Sequence, residues 1–435
     1  MATEQRSALN RLLGRGARIE PGETTAVVTA FLLFFCVLGG YFAVRPVRET
    51  VGTILGEDRV SDLYVVTWIA SIAIVPIYGA LCARFRRSVF LPWIYGFVAI
   101  ALAGVGAALW STEDNIAVGQ FFYVFISVLN LFVVSVFWSF LLELFNPGQV
   151  RRLFGVIAAG GTAGALAGPV VTDIFVGMVG NAGVLFIGSF MFMMAIVCQR
   201  VLLRIWSAEP SDGSQKARED RPLGGNPFAG FTLLLKSPYL LGIALFVILL
   251  ASVNTFLYFE QLRLVSETFT DTATRTRVFS RLDYTVQSLT ILSQVLLTGR
   301  LASKWGVGVL LTAVPLIMVA GFLALATWHS FGVLAVVMVA RRAGEYAFVR
   351  PGREMLFSKV DTETKYKAKN TIDVPVYRGG DALSAQVNNA LSTGGLSPER
   401  VAVLGAGLAA AWALNGFLLG RRKDPAEEVT PAPAT

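Results

Sequence analysis

Arg45 and Arg48 stand three residues apart at the end of an apolar stretch, and Glu49 follows Arg45 by four. On a helix these positions are one turn apart, so the two guanidiniums can grip an anion together or close an ion pair with Glu49. Far along the chain, Arg350-Pro351-Gly352-Arg353-Glu354 repeats Arg45-Pro46-Val47-Arg48-Glu49 with one mismatch. Just before it lie Arg341, Arg342, Glu345 and Tyr346, and after it Asp373, Tyr377, Arg378 and Asp381. Glu260 and Arg263 close a third apolar stretch, and Glu143 precedes Arg151 and Arg152. Blander readings stand beside these. Arg45 and Arg48 can snorkel to headgroups, Glu260 can be a solvated helix end, and Arg341–Glu345 and Arg350–Glu354 can neutralise each other at i,i+4.

The surroundings of these residues decide their meaning. Of the 435 residues 54% are hydrophobic and 15% charged, against about 25% charged in a soluble domain. The mean hydropathy is +0.62. The chain reads as an integral membrane protein, where charge inside a span is costly and is kept in protein or along a watery path. Three lone cysteines, Cys36, Cys82 and Cys198, give no metal spacing and no disulfide framework. His329 is the only histidine, which removes a histidine-based metal site or triad, so neither an enzyme nor a cofactor is expected. The polar N-terminus lacks the apolar core of a signal peptide.

A bilayer-crossing helix needs about 20 apolar residues, and roughly twelve windows qualify. They lie near 24–47, 62–83, 88–110, 116–142, 153–177, 182–204, 238–260, 282–301, 306–327, 331–350, 371–393 and 398–420. Basic residues crowd alternate loops: Arg6 to Arg18, Arg84 to Arg87, Arg151–Arg152, Lys216 to Arg221, Lys304, Lys359 to Lys369, and Arg421 to Lys423. The positive-inside rule then places both termini in the cytoplasm. A loop over 264–281, with Arg275, Arg277 and Arg281, is the exception. The net charge of +8 is thus mostly topological, and nucleic acid is not an expected partner.

The expected organisation has five parts: a cytoplasmic segment 1–23, a six-helix half 24–206, a polar linker 207–237, a second half 238–420 and a disordered tail 421–435. Two six-helix halves around a central cytoplasmic loop are the layout of the major facilitator fold, which binds its ligand near the midplane between halves. Loops at Gly79 to Arg87 and Gly299 to Gly306 resemble that fold's gate loop without its acidic member. The Gly- and Ala-rich run Ala158 to Gly168 is expected to be a close packing face. In the eleventh span Asp373, Tyr377 and Asp381 should share a face, Arg378 should reach Asp381, and Pro375 with Gly379-Gly380 should kink the helix.

Four stretches carry a closer likeness: Tyr41 to Glu49, Phe137-Trp138-Ser139-Phe140, Arg151-Arg152-Leu153-Phe154-Gly155, and Lys367 to Asp373. They resemble the ATP/ADP translocase family, the nucleotide exchangers of plastids and obligate intracellular bacteria, and place the chain near a divergent bacterial branch. The resemblance implies nucleotide exchange with a basic residue of the first span on phosphate, here Arg48. The sequence departs from that family at Ser127, near a glutamate of the exchangers, and at Asp381, near a lysine.

The expectation is therefore a secondary transporter that moves an anionic small molecule of the ATP/ADP type by alternating access, acting as a monomer in lipid. Arg45, Arg48, Arg350, Arg353, Tyr377 and Arg378 are the candidate substrate contacts. Glu49, Glu143, Glu260, Arg263, Glu345, Glu354, Asp373 and Asp381 are candidates for gating or coupling, with Glu260 facing Arg45 or Arg48 and Glu143 facing Arg350 and Arg353. A proton-coupled exporter titrating at Asp373 or Asp381 is the alternative, and a non-transporting receptor ranks third.

Overall fold

The structure, a computed structural model, describes residues 19–20, 22–84, 87–112, 115–207, 229–358, 360 and 368–422. The basic residues of the N-terminus, Lys216 to Arg221, Lys359, Lys365 and Lys367 fall outside them. Among the described residues helices form twelve long rods, and a short helix, Ala229–Lys236, precedes the seventh. The first four are α1 (Thr24–Leu55), α2 (Glu57–Arg84), α3 (Arg87–Ser111) and α4 (Ile116–Leu144). The helical stretch Pro147–Ser207 is broken at Gly180 into α5 and α6. α7 is Pro238–Thr268, and α8 starts at Thr272 and runs to a break at Gly306, where α9 begins and continues to Thr327. α10 joins Phe331–Gly344 to Arg350–Phe357, α11 ends in Tyr377–Thr393, and α12 is Pro398–Arg421.

Gly180 (φ 66°, ψ −179°) and Gly306 (φ 75°, ψ 179°) turn the chain from one rod into the next in a single residue. Only glycine holds that backbone region without a Cβ clash, so these junctions need no loop. The expected turn at Gly180 is thus present, while the expected loop from Gly299 is helical up to Gly306. The connection over 264–281, whose secondary structure the sequence leaves open, is mostly helical: α7 runs on to Thr268 and α8 begins at Thr272. Arg275, Arg277 and Arg281 therefore sit on the first turns of a helix.

Among the described residues seven helical stretches are long and apolar enough to cross a membrane, one of them holding both α5 and α6. The rods outside that set are α2, α8, α10 and α11. The last three carry the charges singled out above, and each includes a π turn, at Gln294–Thr298, Glu345–Val349 and Ile372–Val376. A π turn adds one residue to the helical repeat and shifts every later side chain around the axis, which is why such turns gather at functional sites.

The chain forms two compact units, each discontinuous in sequence. The first comprises Met1–Thr50, Ile77–Pro222 and Thr272–Tyr284; the second comprises Val51–Pro76, Leu223–Asp271 and Thr285–Thr435. Within the first, Gly160, Gly164 and Gly168 of α5 lie directly on the backbone of Phe31, Phe35 and Gly39 of α1, with no room for a Cβ. The Gly/Ala run is the close packing face the sequence promised. α6 crosses α1 at Gly40 against Phe192 and at Gly188 under Val44. Phe34 stacks on Phe137 at 4.0 Å, and Trp138 joins them edge-on, so that tryptophan is packing.

At the start of α1, Glu23 takes hydrogen bonds from Arg152 (2.9 and 3.2 Å), Gln149 (3.0 Å) and the Glu20 N–H (3.0 Å). These tie α1 to the first turns of α5. Burial pushes the Glu23 carboxyl up, but the hydrogen bonds and the Arg152 charge outweigh it and hold the group below the ordinary carboxylate range. In the second unit α9 and α12 approach at Gly308 and Gly420, Gly416 lies on the Leu311 carbonyl, and Trp412 packs on Phe246 at 5.6 Å.

Two outcomes follow from this packing. Gly164→Leu should destabilise the protein by about 1–3 kcal/mol through overpacking of α1 on α5, whereas Gly155→Leu, in open space, should be neutral; thermal unfolding in detergent distinguishes them. Glu23 binds a proton less readily folded than unfolded, so its contribution is full at neutral pH and is lost as pH falls below the ordinary value of 4.5. Glu23→Gln should therefore lower the unfolding midpoint at pH 7 and flatten its acid dependence.

Candidate functional site

In the first unit the site is built on α1. Pro46 removes one backbone donor there, and Thr50 Oγ1 donates to the Pro46 carbonyl at 3.2 Å. Arg45 meets Asp283 of α8 at 3.2 Å and Glu49 at 3.7 Å. Arg48 lies 2.5 Å from Glu49, donates to Ser127 Oγ at 3.1 Å and sits over the Tyr123 ring at 5.2 Å. The Ser127 hydroxyl itself donates a hydrogen bond to the Tyr123 carbonyl at 2.7 Å. Two half-buried arginines, two buried carboxylates, one hydroxyl and one ring thus make a charge-balanced cluster.

Asp283 is the member that sequence reading missed. Its signal was present, a carboxylate two residues into the expected eighth span, but its partner is 238 residues away. The neighbouring turns of α8 are tied down as well: Thr276 Oγ1 lies 2.6 Å from Thr50 Oγ1 and from Asn181 Oδ1. Arg281 and Arg277 reach Asp173 of α5 at 3.2 and 3.6 Å. A second missed pair is Cys36 and Cys198, whose thiols meet across α1 and α6 and are both free. Glu143 is exposed on α4, and Arg152 is engaged by Glu23.

In the second unit the densest set lies on α10. The π turn Glu345–Val349 puts Arg350 five residues beyond Glu345 yet above it, and the Arg350 N–H donates to the Glu345 carbonyl. Arg350 Nε and Nη2 both lie 3.3 Å from Glu345 Oε1, while Arg341 Nη1 lies 3.2 Å from Oε2. The expected Arg350–Glu354 pair is therefore corrected. The wider turn swings Arg350 back to Glu345, and Glu354 takes Lys369 at 2.7 Å instead. The guanidinium of Arg350 also covers the Tyr346 ring at 4.3 Å. The opened backbone is closed from α8, where Gln294 donates to the Tyr346 carbonyl at 3.2 Å and Thr298 to that of Ala347 at 2.9 Å.

α11 and α7 complete this set. Arg353 meets Asp373 at 3.0 Å, and Arg378 reaches Asp381 at 3.6 Å as the spacing required. Asn254 of α7 donates to the Tyr377 hydroxyl at 3.1 Å and accepts from Arg341, and Thr255 donates to Asp381 at 3.2 Å. Asp373, Tyr377 and Asp381 were expected on one face. Tyr377 and Asp381 do both meet α7, but Asp373 lies inside the π turn Ile372–Val376 and meets α10. Trp68 Nε1 donates to the Pro375 carbonyl, inside the same π turn, at 3.1 Å. Asn254 and Thr255 went unnoticed in the sequence because single polar residues in an apolar helix carry no spacing signal.

Farther along α7, Glu260 hydrogen-bonds to His329 and lies 3.6 Å from Arg263. Arg263 forms a two-pronged pair with Glu57 of α2 at 2.7 and 2.9 Å. The single histidine is therefore a partner of Glu260, and among the described residues no cluster of metal-ligating side chains occurs.

A bundle of membrane-crossing helices with paired charges inside its spans is the build of a multi-pass transport protein. The sequence profile of the Major Facilitator Superfamily matches residues 30–352, and the chain belongs to that superfamily as a secondary transporter rather than an enzyme. No curated protein sequence matches it. Among solved structures, the nucleoside transporter NupG superposes with a TM-score of 0.65 at 15% identity, covering 93% of this chain and 100% of NupG. An autoinhibited POT family peptide transporter gives 0.63 at 12% identity, covering 92% and 97%. A bacterial homologue of the iron transporter ferroportin gives 0.61 at 13%, covering 92% and 99%. At these identities the likeness is one of fold.

The first-unit cluster should behave as a coupled pair. Asp283→Asn alone leaves Arg45 short of a buried partner and should cost about 3 kcal/mol or more. Adding Arg45→Gln should recover part of that loss. Additive losses in a double-mutant cycle would show that the 3.2 Å contact carries no coupling.

Proposed function

We propose that the chain moves an anionic small molecule across a bacterial inner membrane by alternating access, as a monomer, with both termini in the cytoplasm. The observation that carries this reading is the arginine-rich interior of α10, where Arg341 and Arg350 share the single carboxylate of Glu345. Charge of that sign within a span serves an anion better than a neutral or cationic cargo. The two six-helix halves are 24–206 and 238–420, joined by the cytoplasmic linker 207–237. In this scheme Arg45, Arg48, Arg350, Arg353, Tyr377 and Arg378 contact the substrate. Glu49, Glu143, Glu260, Arg263, Glu345, Glu354, Asp373 and Asp381 exchange partners between states. A transport cycle then requires the ligand to bind those states unequally.

Nucleotide exchange is the leading specific case. Its support is the likeness of Tyr41 to Glu49 and Lys367 to Asp373 to the ATP/ADP translocases, and the place of Arg48. Ser127 fits a modified version of that site, since its hydroxyl holds Arg48 where the exchangers carry a glutamate. A second reading, proton-coupled export, is favoured by one feature: Asp381 is buried and has a hydroxyl and one guanidinium as its close partners.

Counterflow into liposomes loaded with unlabelled ATP tests both. Entry of labelled ATP or ADP that is lost in Arg48→Ala supports exchange at this site. Full activity of Arg48→Ala removes Arg48 from it. Uptake that needs an imposed pH gradient, with no nucleotide signal, favours the export reading.

A further inference from the structure

Each oxygen of the Glu345 carboxylate is occupied by a different arginine, Oε2 by Arg341 and Oε1 by the two nitrogens of Arg350. Arginine receives a free carboxylate or phosphoryl group in the same way, through charge-assisted N–H···O bonds. The arrangement exists because the π turn widens the spacing, so one acid reaches an arginine four residues before it and another five residues after it. Accessibility differs sharply among the three: the side chain of Arg350 is 53% exposed, against 9% for Arg341 and 7% for Glu345. The buried Nε of Arg341 has no hydrogen-bond partner. The triad therefore shows solvent one guanidinium, backed by a second whose donor capacity is unfilled.

Resting on the anion reading above, we propose that Glu345 is a tethered counter-anion: it fills the arginine pair while the site is empty, and the carboxylate or phosphoryl oxygens of the cargo displace it from Arg350. Without a carboxylate between them the two guanidiniums would repel, and the charge of the buried Arg341 would be left unsatisfied, which is expensive. Glu345 removes that cost in the empty carrier. Binding then exchanges one anion for another, which keeps affinity modest, and release is driven by return of the tethered group. Glu345 is thus a specificity residue that works by competition. It discriminates against cargo with no anionic oxygen to offer, because such cargo cannot replace Oε1 of Glu345 on Arg350.

The test compares full-length wild type and Glu345→Gln in nanodiscs, titrated with inorganic phosphate, acetate and ATP and followed by thermal unfolding, with counterflow measured in parallel. The expected result is that Glu345→Gln binds the anions about tenfold more tightly and exchanges them more slowly. Equal or weaker binding by the variant, with wild type binding normally, overturns the tethered competitor and leaves the anion reading standing. Failure of wild type to bind any of the anions overturns the anion reading, and this inference with it. Glu345→Ala guards against a folding failure. Acetate, a free carboxylate of suitable size, should raise its unfolding midpoint well beyond the effect on wild type, and a midpoint indifferent to acetate counts against the proposal.

Discussion

A guanidinium inside a bilayer has no water to share its charge, so a carboxylate, a hydroxyl or an aromatic face must do so. That constraint organises the interior of this protein. Arg45 is held by Glu49 and Asp283, and Arg48 by Glu49, Ser127 and Tyr123. Arg341 and Arg350 share Glu345, Arg353 takes Asp373, and Arg378 takes Asp381. Each pairing fixes the rotation of a helix about its own axis, because a buried ion pair tolerates little misplacement. Replacing such pairs by apolar side chains is often neutral or stabilising in other proteins.

The rest of the bundle is arranged around that requirement in two different ways. Where helix faces are apolar, glycines bring backbones together, as α5 does on α1 and α12 on α9. In α8, α10 and α11 the side chains are too polar for that solution, and the helices take up π turns. Those turns loosen the backbone hydrogen bonding and are then repaired by Gln294, Thr298 and Trp68. The π turn in α10 creates the shared carboxylate, and the one in α11 points Asp373 at α10. An ideal helix through the same residues would have made an Arg350–Glu354 pair and left Arg341 alone with Glu345.

Much was legible in the chain. The twelve rods, the turn at Gly180, the packing face at Gly160 to Gly168 and the Arg378–Asp381 pair all follow from rules of local range: apolar length, the freedom of glycine and helical spacing. The helix starts were misjudged where polarity was high. Thr272 to Arg281 reads as a connection because its arginines are hydrophilic, yet in the fold Asp173 neutralises two of them and the segment remains helical. Asp283, Asn254, Thr255 and the Cys36–Cys198 contact gave no usable signal, since each gains its meaning from a residue on another helix.

The sequence by itself determined the class: a chain this apolar, with arginines in its spans, has to be a multi-pass membrane protein that hides charge. It also determined which residues carry that charge, because composition and helical period act along the chain. Only the tertiary structure decided who pairs with whom. Partners such as Arg45 and Asp283 are brought together by packing across 238 positions, and the π turn in α10 changes which of its own residues meet Glu345. Pairing is a property of three-dimensional distance, and the chain's own order does not contain it.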